Sequence, residues 1–339
     1  MTGSYELLGP RAHGEPPVRA ELRREPEDFE VEENLGFEPD GEGQHALVWV
    51  EKRGLNSDAV AAALARVAGV DARQVSYSGR KDRHAVTRQW FSVDLAGRAE
   101  PDWADGMPEG AVPLRVARHR RKLRRGSHHG NRFRLRLRDV DGDGAALDQR
   151  LERVAADGVP NYFGPQRFGR DGGNLEQARA WFAGGRRRGP KDLLLSAARS
   201  HLFNRVLAAR VTEGSWQRVC PGEPLILDGS ASFFTPEAVD ATIEERLARG
   251  DVHPSGPLWG RGEGPLAPGE MDRLADEAEL RTGLERAGLR LERRSLRLFP
   301  ARFEWRREGS DLRLAFELPR GTFATAVVRE LADVGDAQA

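Results

Sequence analysis

The sequence predicts an α+β protein in which a mostly helical domain interrupts a β-rich one. Three observations predict this arrangement. Strand patterns dominate the first 140 residues, helical periodicity dominates from about residue 174 to residue 287, and strand patterns return from about residue 296. Because 339 residues exceed what one hydrophobic core usually holds, we expect two domains, with both ends of the chain contributing to one sheet.

The first part alternates strands with single helices. The predicted elements are strands at 44–50, 75–78, 88–95 and 131–138, a helix that ends at about residue 67, and a helix at 145–157. Asn56 or Ser57 can cap the alanine-rich first helix. Gly79 lacks a Cβ and permits a tight turn directly after the second strand. The strand at 131–138 places Phe133, Leu135 and Leu137 on one face and arginines on the other, so one face is predicted to be core and the other cationic.

The second part follows a segment rich in Gly, Pro and aromatic residues at 158–169. Helices are predicted at 174–183, 192–212, 236–248 and 268–287, with Thr235 as a cap and Pro236 at a first helical position. Strands at 296–299, 303–305 and 311–318 and a final helix after Gly321 complete the chain. The inserted part is therefore expected to be mostly α-helical.

Composition excludes several classes of protein. Hydrophobic residues make up 39% and charged residues 31%, and no apolar run approaches the roughly 18 residues of a membrane span. The first six residues lack a basic start followed by an apolar block, so we expect no secretory signal and a cytoplasmic protein. Cys220 is the only cysteine, which excludes an internal disulfide and fits a reducing compartment.

No common cofactor motif is present. A glycine-rich stretch at 260–264 precedes no clear strand-to-helix step, and neither a phosphate-binding loop nor a Gly-x-Ser-x-Gly elbow occurs. His128 and His129 are adjacent and have no third ligand to support them. We therefore predict no metal and no cofactor.

The segment from Gly79 to Phe91 surrounds one carboxylate, Asp82, with five basic residues. A free aspartate has a pKa of about 3.9, and neighbouring cations favour the ionised form. The sequence thus predicts a bare carboxylate at neutral pH, suited to act as a nucleophile. The alternative is a solvated turn whose alternating charges maintain solubility.

The formal net charge is zero, but basic residues are segregated. Eleven Lys or Arg residues and no acid occur between Arg115 and Arg138, as expected of a surface that binds a polyanion. Lysine occurs at only four positions, so a general bias toward arginine is the alternative. The composition of residues 120–130 predicts a mobile basic loop. Its candidate phosphate contacts are Arg120, Arg121, Lys122, Arg124 and Arg125.

Three phenylalanines lie near polar positions: Phe29, Phe133 and Phe323. Core packing is the default role of phenylalanine. The alternative is a pocket in which an extruded base stacks, a contact worth roughly 1–3 kcal/mol per base. Asn131 either reads a base edge or forms a turn.

Six segments, in order along the chain, carry a family resemblance. They are PEDFEVEE (26–33), GRKDRHAVTRQ (79–89), GNRF (130–133), NYFGPQRFG (161–169), SAARSHLFN (196–204) and GTFATAVVRE (321–330). Together they resemble the TruD family of tRNA pseudouridine synthases. The resemblance implies a pseudouridine synthase fold, a mixed, mainly antiparallel sheet with helices, in a catalytic domain at 1–158 and 303–339. It also implies an inserted α-rich TRUD domain at 159–302, with a cleft between the domains for tRNA.

The resemblance implies roles for individual residues. It assigns Asp82 as the catalytic aspartate, Phe29, Asn131 and Phe323 to a uridine pocket, and Phe133 to the face of the target base. Arg23 falls where the family commonly has a lysine that pairs with the catalytic carboxylate, and the lysine beside the aspartate is present as Lys81. The implied reaction is isomerisation of uridine 13 in the D arm of tRNA, without a cofactor or an obligate protein partner.

Two chemical routes stay open, attack of Asp82 on C1′ and elimination across C1′–C2′. Two other functional classes also stay open. A non-catalytic RNA-binding module would explain the basic block and the aromatic residues but would not require Asp82. A nucleoside hydrolase would use the carboxylate but would not need a polyanion-binding surface.

Overall fold

The structure is a computed structural model that describes residues 7–262 and 264–336. Residues 1–6, where the absence of a secretory signal is predicted, and residue 263 of the glycine-rich stretch lie outside the described residues. The chain divides into two compact units. The sheet unit comprises residues 17–148, 300–321 and 332–336, and the helical unit comprises residues 7–16, 149–299 and 322–331. Both units are discontinuous; the assignment of a catalytic and an inserted domain stays a prediction.

The described residues form sixteen strands and eight α-helices. The strands are β1 (Val18–Leu22), β2 (Phe29–Asn34), β3 (His45–Arg53), β4 (Val75–Tyr77), β5 (Val86–Asp94), β6 (Ala111–His119), β7 (Gly130–Gly142), β8 (Val159–Pro160), β9 (Leu225–Leu227), β10 (Phe233–Phe234), β11 (Val252–Leu258), β12 (Glu292–Ser295), β13 (Arg297–Leu298), β14 (Ala301–Glu308), β15 (Asp311–Pro319) and β16 (Ala332–Asp336). The helices are α1 (Ser57–Val67), α2 (Gly144–Asp157), α3 (Gly173–Phe182), α4 (Lys191–Thr212), α5 (Ala241–Ala248), α6 (Glu270–Arg273), α7 (Ala278–Arg286) and α8 (Ala324–Leu331).

The sheet unit contains a ten-stranded sheet in which seven strands follow the order β14-β15-β7-β2-β5-β3-β6. Strand β1 pairs with β7 and β16, and β4 pairs with β5. The β1–β16 and β2–β5 pairs are parallel, whereas the other pairs of this sheet are antiparallel. The predicted mixed, mainly antiparallel sheet is confirmed.

Alternation along the strands builds the core of the sheet unit. Val60 and Leu64 of α1 pack with Val48 and Phe91 of the sheet in one buried cluster. The neighbour of Phe91, Trp90, belongs to a separate cluster, as expected when successive side chains point to opposite faces. The predicted alternation of β7 is confirmed, because its odd-numbered apolar residues from 133 to 137 are buried and its arginines are not.

The helical unit packs around α4, the longest helix. Leu202 and Phe203 of α4 are fully buried in a cluster that includes Leu175 of α3 and Leu284 of α7. Strands β10-β9-β11-β12 form a four-stranded sheet, and β8 pairs with β13. Within the described parts of the chain, even the 22-residue α4 lacks the apolar character of a bilayer-spanning segment, as do the shorter helices.

Two predicted helix boundaries are wrong. The helix expected from residue 236 begins at Ala241, because the side chain of Asp240 accepts the backbone N–H of Ile243 and caps it there. The helix expected at 268–287 is interrupted between α6 and α7. Leu274 adopts a non-helical backbone at the interruption and is fully buried.

The sequence pattern does not predict strand β11, because the strand contains Pro254 and Pro257, residues that usually argue against a strand inside a sheet. The strand nevertheless lies between β9 and β12. Sequence patterns alone do not predict strands β1, β2, β6, β9 and β12 either. The helical unit therefore contains more sheet than its helical periodicity indicates.

Candidate active site

Asp82 lies in the loop between β4 and β5, at the end of a strand as predicted. Its two carboxylate oxygens have different partners. Oδ2 accepts a hydrogen bond from Nη2 of Arg23 at 2.8 Å, and Oδ1 accepts the backbone N–H of His84 at 3.2 Å. The side chain is 36% exposed. The carboxylate is thus oriented by two donors while part of it stays accessible to a reactant.

Arg23 follows β1 and has a backbone φ of +61°, a conformation that non-glycine residues seldom adopt. Its guanidinium carbon lies 4.2 Å from the centroid of the Phe29 ring. The planar cation therefore stacks on an aromatic ring while one edge donates to Asp82, a combination that a lysine ammonium cannot reproduce.

The aromatic residues predicted for the pocket lie on neighbouring strands. The Phe29 and Phe133 rings meet edge to face with centroids 6.1 Å apart, and Phe133 stacks on Phe316 at 5.5 Å. All three rings are buried. Asn131 precedes Phe133 by two positions on β7 and so shares its face of the sheet. Its buried Oδ1 has no hydrogen-bond partner within the described residues.

The side chain of Lys81 forms a buried ion pair. Its Nζ lies 3.1 Å from Oε1 of Glu33, and both side chains are almost inaccessible to solvent. Burial raises the pKa of the Glu33 carboxyl, and the Lys81 ammonium opposes this rise. The structure thus places Lys81 as a link between the Asp82 loop and β2.

His128 packs against the Asp82 loop. A Cβ on Gly79 would lie 3.5 Å from its Cε1 atom. Burial lowers the pKa of His128 to about 4, and the nearby Lys81 and Arg320 add to this effect. The imidazole is therefore neutral at pH 7. No group of three or more His, Cys, Asp or Glu residues is placed to hold a metal in the described part of the chain; the absence of a metal stays a prediction.

Lys52, Ser57 and Gln89 are buried polar residues that sequence reasoning missed. The side chain of each forms a hydrogen bond with the main chain of residues 79–82. The sequence marks Ser57 only as a possible helix cap and Gln89 only as the last residue of the segment 79–89, and Lys52 belongs to no motif. A lysine at the end of a predicted strand is ordinarily expected to have a solvent-exposed side chain.

Phe323 belongs to the helical unit, whereas Asp82, Arg23, Phe29, Asn131 and Phe133 belong to the sheet unit. Within its unit, Phe323 contacts Phe163 with ring centroids 5.9 Å apart and lies 5.5 Å from the guanidinium carbon of Arg167. The predicted pocket residue is therefore framed by two members of the segment 161–169.

The predicted basic loop joins β6 to β7 and has no regular structure. Two of its five candidate phosphate contacts, although exposed, are bonded to other parts of the chain. Arg120 pairs with Glu42, and Lys122 Nζ donates to the backbone carbonyl of Arg73 at 2.6 Å. Arg121, Arg124 and Arg125 are exposed and have no ion-pair partner among the residues that the structure describes. Three cations of this loop are thus available to a polyanion.

Three arginines of β7 lie near carboxylates on, or just before, the adjacent strands. Arg134 lies 3.6 Å from Glu32, and Arg136 lies 2.6 Å from Asp311. Arg138 donates to Asp28 at 2.8 Å. Three of the four arginines at 132–138 are therefore paired with carboxylates, whereas Arg132 is exposed and has no ion-pair partner among the described residues.

Comparisons with known proteins give one family. A family model described as tRNA pseudouridine synthase D (TruD) matches residues 11–176 and 188–331. A tRNA pseudouridine synthase D of Methylococcus capsulatus is 50% identical over 346 residues, covering 98% of each chain. That of Pseudomonas syringae pv. syringae is 51% identical over 337 residues, covering 97% of this chain and 96% of the relative.

A solved structure of similar fold is that of a putative tRNA pseudouridine synthase D from Methanosarcina mazei. It matches with a TM-score of 0.75 at 19% identity and covers 99% of this chain and 98% of that chain. The likeness shows the fold, and the relatives at about 50% identity show the family. The chain belongs to the tRNA pseudouridine synthase D (TruD) family.

Proposed function

We propose that this protein isomerises uridine to pseudouridine in tRNA, at position 13 of the D arm, with Asp82 as the acting carboxylate. Family membership supports the reaction class. The observation that carries the role of Asp82 is its placement, since its carboxylate is held by Arg23 and by the His84 N–H and is partly open. A tRNA substrate makes the cytoplasm the expected place of action.

The reaction breaks the bond from C1′ to N1 and forms a bond from C1′ to C5. N1 takes up a proton and C5 loses one to solvent, so the overall change is an isomerisation that consumes no redox or energy cofactor. Asp82 either attacks C1′ and forms a transient ester, or assists elimination across C1′–C2′. Arg23 would hold the carboxylate in place for either route.

The target nucleotide must leave the folded tRNA before its C1′ can be reached, at a cost of a few kcal/mol. Stacking on aromatic residues and contacts to phosphates offset this cost. Phe29, Phe133 and Phe323 are the proposed base contacts, and the free Oδ1 of Asn131 is suited to accept an N–H of uracil. Arg121, Arg124 and Arg125 are the proposed phosphate contacts.

One assay tests the reaction and the role of Asp82. A tRNA transcript tritiated at uracil C5 is incubated with wild type, with Asp82→Asn, and with Asp105→Asn as a control at an exposed aspartate of the same unit. Wild type and Asp105→Asn should release tritium to water, and Asp82→Asn should not. Equal release by Asp82→Asn would remove the proposed catalytic role.

The same assay separates the rival classes. Free uracil in the products would indicate a nucleoside hydrolase, and tRNA binding without tritium release by wild type would indicate a binding module. A second transcript with cytidine in place of uridine 13 tests the position. Undiminished release from that transcript would show that another uridine is the target.

A further inference from the structure

Lys52 at the end of β3 points into the protein and is completely buried. Its Nζ donates to the backbone carbonyl oxygens of Asp82 and Leu55, each at 2.7 Å, and lies 3.5 Å from that of Lys81. A lysine ammonium has three N–H donors and no acceptor. The three carbonyl oxygens thus surround it, and two of them belong to the segment that carries Asp82.

An ammonium in such a position is costly for folding. Burial lowers the pKa of Lys52 to about 8, against an ordinary value of 10.5. Asp82 raises this pKa and Lys81 lowers it, and these are the charged groups that face the ammonium. A buried cation is usually no better for stability than an apolar side chain of similar size. Packing alone therefore does not account for a lysine at this position.

A second set of buried groups holds the same segment. The hydroxyl of Ser57 accepts the backbone N–H of Lys81 at 3.0 Å and donates to Oε1 of Gln89 at 2.6 Å. Nε2 of Gln89 donates to the carbonyl of Gly79 at 3.0 Å. The main chain before Asp82 is thus bonded at its carbonyls by two side chains and at one N–H by a third.

We propose that Lys52 is a positioning residue for the reaction, and that it fixes the backbone of Asp82 so that the carboxylate keeps its place beside the substrate sugar. This inference rests on the proposed function of Asp82. Lys52 does not touch substrate; it acts through the carbonyl groups that it binds. A displacement of about 1 Å at a reacting group can cost on the order of 100-fold in rate. Loss of the hydrogen bonds from Lys52 to these carbonyl groups should therefore lower the rate of the catalytic step.

The test compares Lys52→Met with Arg150→Met. Arg150 offers a matched control, because its guanidinium also donates to main-chain carbonyls, those of Gly14, Glu15 and Glu330, but in the helical unit. For both variants we measure the melting temperature, the tRNA dissociation constant and the single-turnover rate of tritium release, well below either melting temperature. Lys52→Met should lose roughly 10- to 100-fold in rate with tRNA affinity nearly unchanged. Arg150→Met should keep the wild-type rate per folded molecule.

A Lys52→Met rate close to that of wild type would overturn the proposal. A loss of rate that scales with the loss of melting temperature in the same way in Lys52→Met and Arg150→Met would also overturn it. If Lys52→Met does not fold, Ser57→Ala removes one of the other bonds to the segment and should lower the rate in the same way; a wild-type rate would again overturn it. The Asp82→Asn variant separates failure of the proposed function from failure of this inference. An active Asp82→Asn overturns the proposed function and this inference together, whereas an inactive Asp82→Asn beside a fully active Lys52→Met overturns the inference alone.

Discussion

The guanidinium of Arg23 donates to Oδ2 of Asp82 at 2.8 Å while its flat face covers a neighbouring aromatic ring. The family resemblance suggests a lysine at this position, so the chain uses a different cation to hold the carboxylate. The planar fork has a fixed orientation once it stacks, which restricts the direction from which it reaches Asp82.

We predict that Arg23→Lys lowers the single-turnover rate about tenfold, the effect of losing roughly 1.5 kcal/mol of a charge-assisted hydrogen bond. The charge is kept, but the ammonium does not stack in the same plane. Arg24→Met is the control, since Arg24 pairs with Glu21 and Asp139 on the exposed side. A wild-type rate for Arg23→Lys would show that charge alone is sufficient at this position.

The salt dependence of tRNA binding should identify the loop cations that touch phosphate. Replacing Arg121, Arg124 and Arg125 together with alanine should reduce the slope of log K against log salt by about 2–3, if each neutralises one phosphate. Arg134→Ala should leave the slope nearly unchanged, because Arg134 is compensated by Glu32. Binding is measured by titration at several salt concentrations. Equal slopes for the triple variant and wild type would remove the loop from the interface.

The buried ammonium of Lys52 predicts a pH-dependent stability. Its folded-state pKa of about 8 lies below the ordinary value of 10.5, so the folded protein releases this proton first as pH rises. Between these values the unfolded chain binds more protons, and stability therefore increases with pH. Relative to Lys52→Met, wild type should gain up to about 3 kcal/mol across this window. Denaturant unfolding at pH 7.5 and pH 10 measures the difference; a constant difference would contradict the prediction.

Local patterns predict two of the elements that carry the candidate site, the strand β7 and the strand before the Asp82 loop. The alternation of β7 follows from Phe133 and its neighbours, and the position of Asp82 follows from a short strand that ends before Gly79. These features depend only on residues that are close in sequence. The proposed role of Phe29 rests on the family resemblance, because the local pattern does not predict a strand there.

Features that depend on strand register could not be predicted. The pairing of Arg136 with Asp311 needs the register of β7 against β15, which are far apart in the sequence. The site of Lys52 likewise depends on how β3 places its side chain beneath a loop thirty residues away. A single lysine in a strand creates no periodic sequence pattern. Its burial can therefore be recognised only from the folded structure.

The helical unit contains a buried ion pair, and replacing one of its partners should strongly lower the free energy of unfolding. The guanidinium of Arg293 on β12 donates to both carboxylate oxygens of Glu270 on α6, at 2.7 and 2.8 Å, and both side chains are almost fully buried. Removing one partner leaves an uncompensated buried charge. We predict that Arg293→Met lowers the free energy of unfolding by roughly 3–5 kcal/mol.

Two further variants test the origin of that loss. Arg249→Met removes an exposed ion pair with Glu245 and should cost less than about 1 kcal/mol. The double variant Arg293→Met/Glu270→Met replaces both charges by apolar side chains and should recover part of the stability, because the unpaired carboxylate is gone. Chemical denaturation of the full chain measures all three. A double variant less stable than Arg293→Met would show that the hydrogen bond from the Ala267 N–H to Glu270 matters more than the buried charge.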